Sequence, residues 1–291
     1  MLFRSDATPP VSAKQGALYL VPTPIGNLED MTLRAVKTLR EVDVIVCEDT
    51  RHTSPLLKKY DVPKKPLLSY HEHNEAARST ELAAKLASGG NIALVSDAGT
   101  PLISDPGYRL IQAALAAGAP VVPLPGACAA ITALSASGLA TDSFRYCGFL
   151  PAKTSQRKKL LEEWKAANCT LIFYETPHRI LEALDDVHAV MGERPVVVAR
   201  ELTKLHEEFL RGTAKDIRDE LAARPSVKGE FTLLIGKASE PVADDSVSLE
   251  DAVREAEQQG LSRMEAIKHV ARERRLNKRD VYRLVTEDGG R

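Results

Sequence analysis

Apolar residues in the first half of the chain come in short runs, each ending on small or polar residues. Ala17 to Val21, Asp43 to Cys47 and Ile92 to Val95 are too short for helices and lack polar alternation, which predicts strands buried on both faces. Between them, Thr32 to Val42 and Asn74 to Ser88 carry apolar positions at helical spacing, with Asn74 placed to cap the second helix. Tyr108 opens another helix, and Pro120 to Pro123 forms another strand. Such alternation predicts a mostly parallel sheet with helices on both faces.

A break falls between Pro125 and Asp142. Beyond it the pattern predicts a strand over Phe144 to Phe149, a charged helix over Ser155 to Ala167, a strand over Thr170 to Tyr174 and a helix opening at Pro177. A strand over Pro195 to Arg200 follows, then two late antiparallel strands, Glu207 to Thr213 and Glu230 to Gly236. This is a second α/β domain with a mixed sheet. Three short helical patterns close the chain: Leu249 to Gln259, Ser262 to Glu273 and Lys278 to Val285. Gly260 and Asn277 separate them, and Ser262 is a ready N-cap. The expected organisation is a flexible N-terminus (1–15), an N-terminal α/β domain (16–125), a C-terminal α/β domain (126–238), a linker (239–246) and a basic helical module of helix-turn-helix type (247–291).

Between Arg109 and Asp142 no charged residue occurs, a stretch long enough to mimic a membrane span. Gly118, Pro120, Pro123, Pro125 and Gly126 interrupt it, so a strand, a tight turn and a small-residue helix explain it and no transmembrane segment is expected. The 291 residues suffice for two domains with cores of their own, and a formal net charge of -1 gives no global attraction to nucleic acid. Four cysteines without a C-x-x-C pair fit a reduced, cytoplasmic compartment. The charge is local instead. From Arg263 to Arg283 eight basic residues stand against three acidic ones. Arg272, Arg275, Lys278 and Arg279 in this run are either a solvated helix face or contacts to RNA phosphates, and so are Lys153, Arg157 and Lys158.

The richest loop is Ser96-Asp97-Ala98-Gly99-Thr100-Pro101-Leu102-Ile103-Ser104-Asp105-Pro106-Gly107. It lies where a parallel strand delivers its carboxyl end, the place where open α/β sheets bind ligands. It is longer than a plain connection needs. The first turn, Pro22-Thr23-Pro24-Ile25-Gly26, lacks the G-x-G-x-x-G fingerprint and reads as a rigid turn or a ligand wall. Glu48 and Asp49 follow the second strand, either as ribose-binding acids or as a helix-capping acid paired with Arg51. Pro125-Gly126-Ala127 enters a helix of small residues that favours close packing or ligand approach. His71 and His73 are two apart, on opposite faces of a strand, and make a poor chelating pair. No metal is expected, and His71 remains a solvated loop residue or a proton shuttle.

Val21 to Leu28, Cys47-Glu48-Asp49-Thr50-Arg51, Ser96 to Pro101, Leu124-Pro125-Gly126 and Gly229-Glu230-Phe231-Thr232 stand in an order that resembles the tetrapyrrole-methylase-like superfamily. Within it the chain is similar to the bacterial ribosomal RNA small-subunit methyltransferase I family. The likeness covers roughly residues 15 to 238, and the helical tail also fits. It implies a two-domain class III methyltransferase fold holding S-adenosyl-L-methionine between its α/β domains, which accounts for the absent glycine fingerprint. By motif the cofactor surroundings are Pro22 to Gly26, Asp97 to Pro101, Pro125 to Ala127 and Gly229 to Thr232, with Phe173-Tyr174 as a further wall.

The resemblance also implies a homodimer and a 2′-O-methyl transfer to a cytidine of 16S rRNA in the 30S decoding region. That chemistry needs a ribose oxygen aligned with the sulfur–methyl bond and a base or cation beside it. Asp49, Arg51, His71 and Asp105 qualify by position. Two alternatives stay open: the same fold acting on a small tetrapyrrole-like substrate or a translation factor, and a non-catalytic RNA-binding protein. The basic tail weighs against the small substrate, and the small-residue loops weigh against loss of the cofactor.

Overall fold

The computed structural model describes residues 15–238, 248–274 and 276–287. Most of the expected flexible N-terminus (1–14), the expected linker (239–246) and Arg275 lie outside the described residues. The chain divides into two compact units, Met1–Lys237 and Ala238–Arg291.

The first unit contains two sheets. In chain order its first lobe runs β1 (Leu18–Val21), α1 (Leu33–Glu41), β2 (Val44–Cys47), α2 (Thr50–Lys59), β3 (Leu67–Ser69), α3 (Glu75–Ala87), β4 (Ile92–Val95), α4 (Tyr108–Ala116) and β5 (Val121–Pro123). The strands lie in the order β3-β2-β4-β1-β5 and all pair in parallel. Successive residues of a strand face opposite sides, so Leu18 enters one core with Leu82, Leu86 and Leu110 while Tyr19 and Val21 enter another with Ala35 and Leu39. Burial on both faces explains why these runs are apolar throughout.

The second lobe runs α5 (Ala129–Ser137), β6 (Phe144–Phe149), α6 (Thr154–Glu163), β7 (Thr170–Glu175), α7 (Ile180–Met191), β8 (Val196–Arg200), β9 (Glu208–Gly212), α8 (Ala214–Ala222) and β10 (Phe231–Ile235). Its sheet has the order β6-β7-β10-β8-β9; β6 and β7 are parallel and the other pairs antiparallel. α5 covers one face with Ala130, Ala133 and Leu134, and α6, α7 and α8 cover the other.

Several expectations shift. Asn74 stands at the start of α3, yet its side chain accepts from the His71 amide (2.9 Å) and donates to the Ser69 carbonyl (3.1 Å) instead of capping the helix. α6 stops at Glu163, short of Ala167, where the Trp164, Lys165 and Ala167 amides turn to carbonyls three residues back; the buried Arg194 guanidinium then caps the Trp164, Lys165 and Ala167 carbonyls. α7 opens at Ile180 and not at Pro177, since the Thr176 carbonyl receives the Arg179 and Ile180 amides in an intervening turn. The uncharged stretch from Arg109 to Asp142 becomes α4, β5 and α5, and no described helix is long and apolar enough to cross a membrane.

Arg157 requires a correction. Expected on a basic RNA-facing surface, it is fully buried between α6 and α7. Its Nε donates to Asp186 Oδ2 at 2.6 Å, and its Nη1 to the Pro151 and Ala152 carbonyls. A buried guanidinium needs a carboxylate and several acceptors; Asp186 of α7 supplies the first and the approach to α6 the others. Lys153 and Lys158 stay exposed, although Lys158 also reaches Asp186 at 3.4 Å.

The second unit consists of α9 (Leu249–Gln258), α10 (Arg263–Glu273) and α11 (Lys278–Glu287), closed around Val253, Ile267, Val270, Val281 and Val285. Glu265 reaches back to the Ser262 amide at 3.1 Å, which fixes the start of α10. Arg272, Lys278 and Arg279 are exposed on α10 and α11.

Arg157→Ala would leave Asp186, whose side chain is only 7 % exposed, with the longer contact to Lys158 in place of its buried guanidinium. It should cost up to about 3 kcal/mol, less than for a fully unpaired buried charge because Lys158 remains, read as a lowered urea midpoint, and leave RNA affinity unchanged once the protein is folded.

Candidate active site

The carboxyl ends of β1 and β4 are tied together. The Thr23 amide donates to the Gly99 carbonyl at 2.9 Å and the Gly99 amide returns a bond to the Thr23 carbonyl at 3.0 Å. Thr23 Oγ1 donates to the Ser96 carbonyl (3.0 Å), and Ser96 Oγ to that of Gly99 (2.9 Å). Gly99 sits at φ +81°, in the left-handed region, and a Cβ there would meet Ile25 Cγ2 at 3.2 Å. Thr100 Oγ1 donates to the Ala127 carbonyl at 2.9 Å, which joins this loop to the approach to α5. Leu102 and Ser104 also hold positive φ, and Ser104 Oγ lies 2.5 Å from Tyr146 Oη on β6. The long loop is therefore fixed on both sides.

A cavity of about 410 Å³ opens between the two sheets. Its walls include Ile25, Asp97, Ala98, Gly99, Thr100, Ile103 and Asp105 from the first lobe. The second lobe contributes Cys128, Phe149, Tyr174, Glu175, Leu202, Glu230, Phe231 and Thr232. The volume falls in the range of small-molecule sites, and apolar walls with a few convergent polar groups are their usual composition. Tyr174 packs edge-on against Tyr146 and Phe149, and its hydroxyl accepts the Ala130 amide at 3.2 Å.

The structure brings Ile25, Asp97 to Thr100, Asp105, Tyr174 and Glu230 to Thr232 together, as the motifs imply. Pro22, Thr23, Pro101, Pro125, Gly126, Ala127 and Gly229 are not among the lining residues. Several of them brace the wall: a Cβ on Gly126 would lie 2.5 Å from Pro22 Cβ, and one on Gly229 2.6 Å from Glu201 Cγ. Pro24 and Gly26 border a smaller adjoining cavity of about 180 Å³. Phe173 is no wall. It points into the second-lobe core, because neighbours on a strand face opposite ways.

Among the four residues singled out for catalysis, only Asp105 lines the larger cavity. Asp49 caps α2 through the Arg51 amide (2.8 Å) and is held by the Arg51 guanidinium, whose hydrogen bonds keep the carboxyl well below its usual range. The capping alternative thus describes Asp49. His71 lies 3.2 Å from Asn74 Nδ2, away from both cavities. Burial, then the charges of Glu48 and Asp97, raise the Asp105 carboxyl to about 6 against an opposing hydrogen bond from Ser96. Glu48 is raised as well, chiefly by burial. Among the described residues no group of three or more His, Cys, Asp or Glu could hold a metal ion.

Sequence reasoning overlooked Phe149, Glu175-Thr176-Pro177, Leu202 and His52. Glu175 to Pro177 follow a strand end, which is a usable signal. Phe149, an exposed apolar residue, and Leu202, a buried one, carried none, since a single apolar residue does not announce its neighbours. His52, next to Arg51, was given no role; it lies on α2, with Nδ1 2.9 Å from Asp97 Oδ2.

Two α/β lobes with a cavity across their strand ends define the class of tetrapyrrole methylases, and a model of the tetrapyrrole (corrin/porphyrin) methylases matches residues 17–218. A solved uroporphyrin-III C-methyltransferase from Thermus thermophilus, complexed with S-adenyl homocysteine, superposes with a TM-score of 0.52 at 17% identity, covering 77% of this chain and 98% of that one. The ribosomal RNA small subunit methyltransferase I of Halalkalibacterium halodurans is 49% identical over 94% of this chain and 96% of its own length. That of Synechocystis is 49% identical over 94% and 98%. The chain belongs to the tetrapyrrole methylase family, in the branch whose curated members are named ribosomal RNA small subunit methyltransferase I. It is a methyltransferase, and S-adenosyl-L-methionine is its donor.

Asp105 also makes a stability prediction. Its neutral form is favoured in the folded protein, so its contribution is present below the ordinary value of 3.8 and is lost as pH rises through about 6. Asp105→Asn should raise the melting temperature near neutral pH, with a gain that fades as pH falls back across that window in calorimetry at stepped pH.

Proposed function

We propose that this protein methylates the ribose 2′-oxygen of a cytidine in 16S rRNA, in the decoding region of the 30S subunit, acting as a cytoplasmic homodimer. The observation that carries the substrate class is the relationship over nearly the full length to proteins named for small-subunit ribosomal RNA. The exposed Arg272, Lys278 and Arg279 of the helical module, with Lys153 and Lys158, support a polyanionic partner. A small tetrapyrrole-like substrate would have no use for that module.

The residues present fit the donor. Ile25, Ile103, Phe149, Leu202 and Phe231 offer apolar surface to its adenosine, and Asp97 and Asp105 offer carboxylates to a cation. When bound, S-adenosylmethionine supplies a methyl group already activated on a sulfonium. The chain's part is to bind, to exclude water and to align the acceptor, and alignment alone is worth several orders of magnitude in rate. The loop tied by Thr23 and Gly99 keeps that wall in place. Ser104 and Tyr146 hold its far end. Pro22 to Gly26, Pro101, Pro125 to Ala127 and Gly229 are proposed as the backing of the donor wall.

Gly99→Val would force a β-branched side chain into a left-handed backbone against Ile25. Donor affinity should drop at least about tenfold by calorimetry while circular dichroism stays native, since the strain is local to the cavity wall. The substrate reading is tested with labelled donor and 30S subunits, naked 16S rRNA or cell metabolites, followed by nucleoside mass spectrometry. The expected product is a 2′-O-methylcytidine from rRNA; label on a metabolite alone would overturn the reading. Changing Arg272, Lys278 and Arg279 together to alanine should weaken RNA binding and lower the slope of log affinity against log salt by about 0.7–0.9 for each phosphate no longer neutralised.

A further inference from the structure

We propose that His52, held by Asp97, is the base that takes the 2′-hydroxyl proton, and that the small cavity beside it receives the acceptor sugar; this rests on the 2′-O-ribose reading above. Asp97 borders both cavities. On one side is the 410 Å³ space assigned to the donor, and on the other the 180 Å³ space lined by His52, Thr53, Leu56, Ser96 and the first turn. The smaller space is below the usual size of a cofactor site and suits a single ring. A carboxylate shared by two adjoining chambers is where a donor and an acceptor would meet.

The pair has the geometry of a base and its orienting acid. Asp97 Oδ1 receives the Asp49 amide at 3.2 Å, and Asp97 Oδ2 lies 2.9 Å from His52 Nδ1. Asp97 is thereby fixed. With the carboxylate ionised, Nδ1 carries the proton and donates it to Asp97, which leaves the Nε2 lone pair free to accept. The imidazole side chain is 69% exposed, so an incoming ribose can reach it. The charged groups facing His52 are Asp97 on the loop after β4, and Asp49 and Arg51 at the start of α2. The bond to Asp97 raises the His52 pKa, which strengthens it as a base.

The other candidates serve less well. Asp49 is tied to Arg51 and is too weak a base, His71 is tied to Asn74, and Asp105 faces the larger cavity. In the step, the 2′-hydroxyl gives its proton to His52 Nε2 as its oxygen bonds the methyl carbon. The electron pair of the broken carbon–sulfur bond stays on sulfur, leaving a neutral thioether. The imidazolium, stabilised by Asp97, returns its proton to solvent.

The test uses the full chain with 30S subunits and labelled donor, with product nucleosides identified by mass spectrometry. His52→Gln should lower kcat by about 10²–10⁴ and leave donor affinity by calorimetry within about twofold. Wild-type kcat should rise with pH through the His52 titration, and the variant should lack that limb. Nuclear magnetic resonance of the protein without donor should show His52 titrating above about 6.5, and lower in Asp97→Asn. Leu56→Trp, which fills the small cavity, should raise KM for the subunit by about tenfold or more without changing donor affinity. A kcat loss below about tenfold in His52→Gln, an acid limb that persists there, or an unchanged KM in Leu56→Trp overturns the proposal while the 2′-O reading stands. A wild-type product methylated on the base overturns both.

Discussion

The double hydrogen bond between Thr23 and Gly99 is the constraint from which the site takes its shape. It joins the ends of β1 and β4, neighbours in the first sheet, beyond the point where their strand pairing stops. It needs a left-handed residue at Gly99, a conformation costly for any residue with a Cβ. With that bridge made, the Thr23 side chain takes up the Ser96 carbonyl, the Ser96 side chain adds a second donor to that of Gly99, and Thr100 reaches the approach to α5. The wall of the cavity is thus built from backbone held at several points. Such a wall keeps its shape with no ligand present, and rigidity of this kind lowers the entropy lost on binding.

The charges divide into two populations. In the second lobe, Arg157 and Arg194 are buried and fully employed, one on Asp186 and carbonyls before α6, the other on the Gly236 carbonyl after β10 and on carbonyls after α6. They fix how α6 sits on the sheet. Around the cavities the balance tips the other way. Glu48, Asp97 and Asp105 crowd one end of the first sheet, and burial, with the charges of Glu48 and Asp97 behind it, raises the Asp105 carboxyl to about 6. A site that holds excess negative charge under partial burial is poised for a cation, and a sulfonium is one.

The fold was largely legible. Short apolar runs marked most of the strands, the less apolar β6 and β9 were anticipated too, and both late strands do run antiparallel, each against β8; β3, only three residues of partly buried Leu67–Ser69, escaped notice. α2 escaped as well, because Pro55 inside it and the polar run Thr50-Arg51-His52-Thr53 look like a turn. That omission hid His52. A residue placed in a turn has no assigned direction, whereas on the first turn of a helix it faces the neighbouring strand end and meets Asp97.

Local features could be read in one dimension: which runs are strands, where helices start, and which loops sit at strand ends. Periodicity and turn chemistry belong to residues close along the chain, so they need no fold to be visible. Which charged residues are exposed, and which cavity each loop lines, emerged only once the lobes were packed. Packing took Arg157 out of the surface and into the core. It paired Arg157 with Asp186 and His52 with Asp97, and it set Asp97 between two chambers. Burial and the pairing of distant charges depend on residues dozens of positions apart, and no local pattern carries that information.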